Sequence, residues 1–113
     1  MFRLATAVVA AVFSLAALPN FFTYAEWLRL PDDGRSAYIA GTFDALINHY
    51  DDDARRVVAQ HYSRCVARSQ LSSAQLSENL KRYVNVRPEL QAGTVQTAHL
   101  KYLQDLCGPQ APR

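Results

Sequence analysis

The pattern of apolar and polar positions divides the chain into an apolar N-terminal run and a longer part with helical spacing. Leu4–Leu18 consists of Leu, Ala, Val and Phe with one Thr and one Ser, and Pro19-Asn20 ends the run. Beyond Glu26, apolar residues recur at intervals of three and four, and no alternating strand pattern persists. This periodicity is typical of amphipathic helices, so the sequence predicts an all-α fold.

Two helices are predicted in the first half of the helical part. Pro31-Asp32-Asp33-Gly34 is a turn signal, and Ser36 is predicted to cap the first helix. Gly41 lies inside that helix, where glycine costs about 1 kcal/mol relative to alanine. We therefore expect a close approach of another helix at Gly41. Asp51–Asp53 precedes the second helix, whose positive N-terminal dipole suits acidic side chains.

Two further helices are predicted in the second half. Ser72 and Gln75 have the spacing of a capping box, and the third helix is expected to end near Val86 because Pro88 disfavours its continuation. Pro88 suits the first position of a fourth helix, which is predicted to run to Cys107. Four helices with short connections predict a small antiparallel four-helix bundle in residues 26–108, with a disordered tail at 109–113.

The apolar run predicts a secretory signal peptide over residues 1–25. Arg3 supplies the positive start, and Thr23-Tyr24-Ala25 places small residues at the two positions that signal peptidase reads. Cleavage is therefore expected after Ala25, with Ser14-Leu15-Ala16 as an alternative site. An uncleaved membrane anchor is the competing interpretation, although a spanning helix needs about 20 apolar residues. Cleavage near Ala25 predicts an exported protein, periplasmic or secreted.

Charge and cysteine content narrow the classes of function. The 113 residues include 12 Lys+Arg and 10 Asp+Glu, a near-balance that argues against a strongly basic nucleic-acid-binding protein. In an oxidising compartment the only two cysteines, Cys65 and Cys107, are expected to form a disulfide. In the chain-entropy model a loop of this length contributes about 4 kcal/mol. A redox-active thiol is the alternative, but the chain has no Cys-x-x-Cys motif.

No motif in the chain indicates catalysis, a cofactor or a metal site. Ser36, Asp44 and His49 supply the residue types of a catalytic triad, but no nucleophile-elbow glycine pattern accompanies them. The chain has no Gly-rich phosphate loop and no haem-attachment sequence. Asp51–Asp53 lacks the alternating ligands of a calcium loop. His61 has a chelating spacing to Cys65, but a thiol in a disulfide cannot bind a metal. We therefore expect a protein that is not an enzyme, with no cofactor and no metal.

The segment Ala37–Ala45 resembles the Tyr-[Ile/Val]-x-Gly-x-x-Asp-Ala signature of Rap/Tai-type immunity proteins. Tyr38, Gly41 and Asp44 stand at the motif positions, and similar segments follow in the family's order as far as Cys107. Those proteins are small, exported and helical, and they neutralise cell-wall amidases delivered by type VI secretion. Many members carry a further cysteine just before this motif, where Arg35, Ser36 and Ala37 stand in this chain. The difference predicts a first helix without that tether.

The resemblance implies an exported binding protein that occludes the active site of a protein partner, such as a cell-wall amidase. The helix-connecting loops are predicted to bind it through Asn48, His49, Tyr50, Asp51, Asp52, Asp53, Arg68 and Gln70. The number of aromatic residues also favours a protein partner or a homodimer. Nucleic acid is not expected as a partner, and a membrane is expected only if the signal peptide is uncleaved. The alternative function is that of a small, disulfide-bonded periplasmic chaperone active under acid stress.

Overall fold

The computed structural model describes residues 22–109, in which the regular structure is helical apart from one isolated bridge between Thr23 and Thr94. The predicted all-α class is confirmed, with six helices in this range rather than four. They are α1 (Tyr24–Leu28), α2 (Asp32–Asn48), α3 (Asp53–Ser69), α4 (Ser73–Asn85), α5 (Pro88–Gln91) and α6 (Val95–Cys107). Residues 1–21 of the predicted signal peptide and residues 110–113 of the predicted tail lie outside the described residues.

The first two helices differ from the sequence-based expectation. Helix α2 begins at Asp32, so the prediction that Ser36 caps it is wrong. Pro31 instead takes the N-cap position in an extended conformation, and its carbonyl accepts a hydrogen bond from the Arg35 N–H at 2.9 Å. Helix α1 was not predicted, and the expected domain boundary between Ala25 and Glu26 lies inside it. A reciprocal capping box between Thr23 and Glu26 starts this helix.

The predicted fourth helix is two helices, α5 and α6, separated by Ala92-Gly93-Thr94. Chain segments far apart in sequence stabilise this break. The Tyr24 N–H donates to the Gly93 carbonyl at 2.9 Å, and the Val95 N–H donates to the Phe22 carbonyl at 3.1 Å. The Thr94 side chain then caps α6. A single continuous helix was predicted because none of these long-range bonds is visible in the local sequence.

One hydrophobic core joins all the helices except the short α5, whose Leu90 packs at its edge. Helix α2 packs mainly on α4 and also on α3, while α6 contacts α1, α3, α4 and α5. Trp27 from α1 is fully buried, and its indole N–H donates to the Arg35 carbonyl at 3.2 Å. Other fully buried apolar side chains are Ile39, Leu80, Val84, Val95 and Leu103. Helix α1 is therefore part of the core.

Arg35 holds the connection between α1 and α2. Its buried guanidinium donates to the Leu28 carbonyl at 3.1 Å and to the Leu30 carbonyl, and it forms an ion pair with Asp32. The sequence predicted a first helix that lacks a covalent tether at this position. The chain has no disulfide there, and these bonds from Arg35 fix the start of α2 instead.

Cys65 and Cys107 form the predicted disulfide, which joins α3 to the end of α6 with a Cα–Cα distance of 5.6 Å. Beside it, His61 Nε2 lies 2.9 Å from the carbonyl oxygen of Gly108. The capping box between Ser72 and Gln75 at the start of α4 is also confirmed. The capping box follows from two residues that are close in sequence, and the disulfide follows from the pairing of the only two cysteines.

The prediction of a close helix approach at Gly41 is wrong. Gly41 is exposed, and a Cβ atom built on it would meet no heavy atom within 4 Å. We therefore expect Gly41→Ala to raise the free energy of unfolding by about 0.5–1 kcal/mol, because alanine has the higher helix propensity and restricts the unfolded chain. Urea unfolding followed by circular dichroism measures this change. A lower urea midpoint for the variant would contradict the open environment found at Gly41.

Candidate partner-binding surface

The turn between α2 and α3 contains most of the predicted partner-binding residues. Helix α2 ends at Asn48, whose side-chain amide donates to the Asp44 carbonyl at 3.1 Å. The following residue, His49, is extended, with φ −121° and ψ 107°. Asp52 then caps α3 by accepting from the Arg55 N–H at 2.8 Å. Both ends of the turn are therefore held by local hydrogen bonds.

Two adjoining depressions flank this turn and share His49. The first has a volume of about 420 Å³ and is lined by Asn48, His49, Tyr50 and Asp51. The second has a volume of about 280 Å³ and is lined by Leu46, His49, Arg55, Val58 and Ala59. We call these two depressions and their lining residues the α2–α3 loop surface. Its second half is largely apolar, as the buried centre of a protein interface is.

Two large hydrophobic side chains of the α2–α3 loop surface are open to solvent. Tyr50 is 45% exposed, and Val58 is 36% exposed. Tyrosine is enriched at the energetically dominant positions of protein interfaces because its ring buries a large area and its hydroxyl can still form a hydrogen bond. Tyr50 is therefore the side chain of this surface best suited to anchor a partner.

The acidic residues beside Tyr50 are exposed and already have local partners. Oδ1 of Asp51 lies 3.8 Å from Nε of Arg55, and Oδ1 of Asp53 lies 3.2 Å from Nη2 of Arg56. Exposed ion pairs of this kind contribute only about 0–1 kcal/mol to stability. Their charges thus remain available to a partner at little cost to the fold.

The structure separates the remaining predicted partner-binding residues from this surface. Arg68 lies in the last turn of α3, and Gln70 forms its C-cap in a left-handed conformation with φ 55°. Helix α3 has 17 residues, and a helix of that length spans about 25 Å. The eight residues therefore form two groups near opposite ends of α3 rather than one surface.

The three motif residues on α2 do not point to one site. Tyr38 is half-buried, and its ring centroid lies 5.0 Å from that of Phe22. Gly41 and Asp44 are exposed. Tyr38 therefore contributes to the fold, whereas Gly41 and Asp44 lie on the outer side of α2.

The catalytic and metal-binding combinations considered from the sequence do not assemble. Ser36 lies near the start of α2, while His49 follows its last residue. This separation corresponds to about 20 Å along a helix, so the two side chains cannot share a triad with Asp44. Within residues 22–109, no three His, Cys, Asp or Glu side chains are grouped so that they could hold a metal ion.

His99 is a buried titratable group that the sequence analysis did not single out. Its side chain is only 3% exposed, and its Nδ1 lies 3.3 Å from the Thr42 hydroxyl oxygen. The Thr42 hydroxyl also donates to the Ile39 carbonyl at 3.1 Å, so its oxygen can accept a hydrogen bond from Nδ1 of His99. Nε2 has no hydrogen-bond partner. Burial lowers the pKa of His99 from 6.5 to about 4.

A sequence signal for His99 exists in the periodicity of α6. The residue lies between the buried positions Val95 and Leu103, four residues from each. This spacing places His99 on the apolar stripe. Its contact with α2 could not be inferred, because no local pattern shows which helix covers that stripe.

A polar depression of about 310 Å³ lies between α4, α5 and α6. The Tyr83 hydroxyl donates to the Asp105 carboxylate at 2.6 Å, and the Arg87 guanidinium carbon lies 3.7 Å from the centre of the Tyr83 ring. Burial and the Asp105 carboxylate raise the pKa of the Tyr83 hydroxyl. The Tyr83, Arg87 and Asp105 side chains are therefore partnered with one another across the junction of the three helices.

Comparison with known proteins identifies no relative of this chain. No protein-family profile, curated protein or solved structure matches it. Among residues 22–109, no helix is long and apolar enough to cross a membrane.

Proposed function

We propose that the chain is an exported binding protein that inhibits a partner enzyme by placing the α2–α3 loop surface over its active site. In this proposal the four longer helices form an antiparallel bundle that carries the loop. The partner is a cell-wall amidase, as the resemblance to the Rap/Tai-type immunity proteins implies. The observation that carries the proposal is the exposed Tyr50 beside an apolar depression, on a turn held at both ends.

A rigid loop supports this function because binding then costs little conformational entropy. The Asn48 amide and the Asp52 carboxylate fix the two ends of the turn through hydrogen bonds to the backbone. Farther along α3, Tyr62 and Val66 are buried in the core, and Cys65 is covalently joined to α6. A loop held in one conformation retains more of its contact energy as affinity.

The chemistry of the loop favours a partner surface with an aromatic-binding recess and cationic groups around it. Tyr50 can insert into the recess, while Asp51 and Asp53 can exchange their local arginines for cations of the partner. Because both carboxylates are exposed, with side-chain exposures of 88% and 90%, this exchange requires little desolvation. Exposed charges of this kind contribute mainly to the rate and specificity of association.

Substitution of Tyr50 tests this surface. We expect Tyr50→Ala to weaken partner binding by about 30-fold or more, because a central aromatic anchor contributes about 2 kcal/mol or more. The matched control is Val86→Ala, since Val86 is 69% exposed and lies outside the α2–α3 loop surface. The measurement is retention of proteins from a periplasmic extract under non-reducing conditions, followed by titration of the retained enzyme.

The proposal requires a cell-wall hydrolase that the unmodified chain and Val86→Ala retain and that Tyr50→Ala loses. Retention of no hydrolase by the unmodified chain would contradict the function. Equal retention of a hydrolase by all three chains would leave the function intact and would assign binding to another surface.

The second candidate function is that of a periplasmic chaperone active under acid stress, and His99 favours it. A neutral imidazole with an unpartnered Nε2 in the core destabilises the fold once it is protonated. Such a chaperone is expected to expose apolar surface and to prevent the aggregation of a client protein at about pH 3. Fluorescence of a hydrophobic dye and light scattering of the client measure these two properties. A chain that remains folded and inactive at this pH would exclude the chaperone.

A further inference from the structure

Residues Phe22–Leu28, which we call the N-terminal segment, are held by hydrogen bonds within the segment and by contacts with two other regions of the fold. Within the segment, the Thr23 hydroxyl oxygen accepts from the Glu26 N–H at 3.1 Å, and the Glu26 carboxylate accepts from the Thr23 N–H at 3.0 Å. A chain that begins at Glu26 lacks both bonds. It also lacks the N-cap of α1, because Thr23 and Tyr24 are then absent.

The backbone of the N-terminal segment also completes the break between α5 and α6. The Phe22 carbonyl accepts from the Val95 N–H, and the Tyr24 N–H donates to the Gly93 carbonyl, at 3.1 and 2.9 Å. Val95 is fully buried. Removal of Phe22 therefore leaves the N–H of a buried residue without its partner, which is costly in a protein interior.

Side chains of the N-terminal segment cover part of the core. Tyr24 is only 6% exposed, and its ring centroid lies 5.6 Å from that of the fully buried Trp27. The Phe22 ring centroid lies 5.0 Å from that of Tyr38 on α2. Loss of Phe22 and Tyr24 would thus uncover apolar surface of Trp27 and Tyr38.

From these contacts we propose that export processing cleaves the chain before Phe22 and leaves the whole N-terminal segment in the mature protein. The proposal rests on the export that the proposed function requires. Among bonds upstream of Phe22, Ala16–Ala17 has small residues, Ser14 and Ala16, at the two positions that signal peptidase reads. The Leu4–Phe13 stretch before it is an apolar region of suitable length.

The mass of the exported product tests the proposal. The full chain is expressed in a Gram-negative host, and the periplasmic product is measured intact and by N-terminal sequencing. A product that begins at any residue from Ala17 to Phe22 supports the proposal. A product that begins after Phe22, such as one starting at Glu26, overturns the proposal while leaving export intact. A periplasmic product that retains Met1 overturns the processing and leaves export intact, whereas absence of the chain from the periplasm overturns the export that the proposed function requires.

Two matched variants distinguish the candidate bonds, because glutamine is too large for the residue that precedes the cleaved bond. Ala16→Gln is expected to make the unprocessed precursor accumulate or to shift cleavage to a neighbouring bond before Phe22. Ala25→Gln is expected to be processed as the unmodified chain is, and its mature product retains Gln at position 25. Because Ala25 is exposed on α1, the second variant is expected to fold. Blocked processing of Ala25→Gln together with normal processing of Ala16→Gln would overturn the proposal.

Discussion

Reduction of the disulfide between Cys65 and Cys107 is expected to lower the free energy of unfolding by about 4 kcal/mol. The bond joins residues with a sequence separation of 42, so it removes a large amount of conformational freedom from the unfolded chain. It also connects α3 to α6, two of the longer helices. Since domains of this size have a stability of only about 5–15 kcal/mol, reduction removes a large share of the total.

Urea unfolding with and without a phosphine reductant measures this effect on the unmodified chain. The control is the double variant Cys65→Ala/Cys107→Ala, whose urea midpoint is expected to be the same in both conditions. An unchanged midpoint for the unmodified chain, with two free thiols confirmed by titration, would show that the disulfide does not stabilise the fold.

Acidification is expected to destabilise the fold through His99. The pKa of His99 is about 4 in the folded chain and has an ordinary value of 6.5, so the unfolded state binds more protons between these pH values. Stability is therefore complete above pH 6.5 and decreases as the pH falls to about 4. This difference between the two pKa values corresponds to a loss of about 3 kcal/mol in the free energy of unfolding.

The variant His99→Leu separates this contribution from that of other titrating groups. The Thr42 hydroxyl still donates to the Ile39 carbonyl in this variant, so no new buried donor is left unpaired. Urea unfolding at a series of pH values is expected to show a smaller loss of stability for His99→Leu than for the unmodified chain. His49→Leu is the control, because His49 is exposed. An identical pH dependence for His99→Leu and the unmodified chain would refute the assignment.

Features that depend on neighbouring residues were predictable from the sequence. The Ser72–Gln75 capping box is one example, and the helical class is another. Thr23 and Glu26 have the same capping-box spacing, but Thr23-Tyr24-Ala25 also fits a signal-peptidase motif. The second interpretation concealed α1. A local motif that serves two physical purposes cannot be assigned without the surrounding fold.

Features that depend on contacts between distant segments were not predictable. The backbone of Tyr24 bonds to Gly93 at the break, and the buried His99 contacts Thr42 and Phe43 of α2. The turn that contains Tyr50 was predicted from its polar residues, whereas Arg68 was assigned to the same function although it lies near the far end of α3. Whether a residue lies in a loop follows from its local sequence. Whether two loops lie on one surface depends on the whole fold.

Titration of the purified, disulfide-bonded chain into the cell-wall amidase that it retains from a periplasmic extract tests the proposed function most directly. The amidase activity is followed as the release of soluble fragments from purified peptidoglycan. We predict that activity disappears when chain and enzyme are equimolar, and that Tyr50→Ala requires a much higher concentration than Val86→Ala. Full amidase activity in a large molar excess of the unmodified chain would contradict the proposed function.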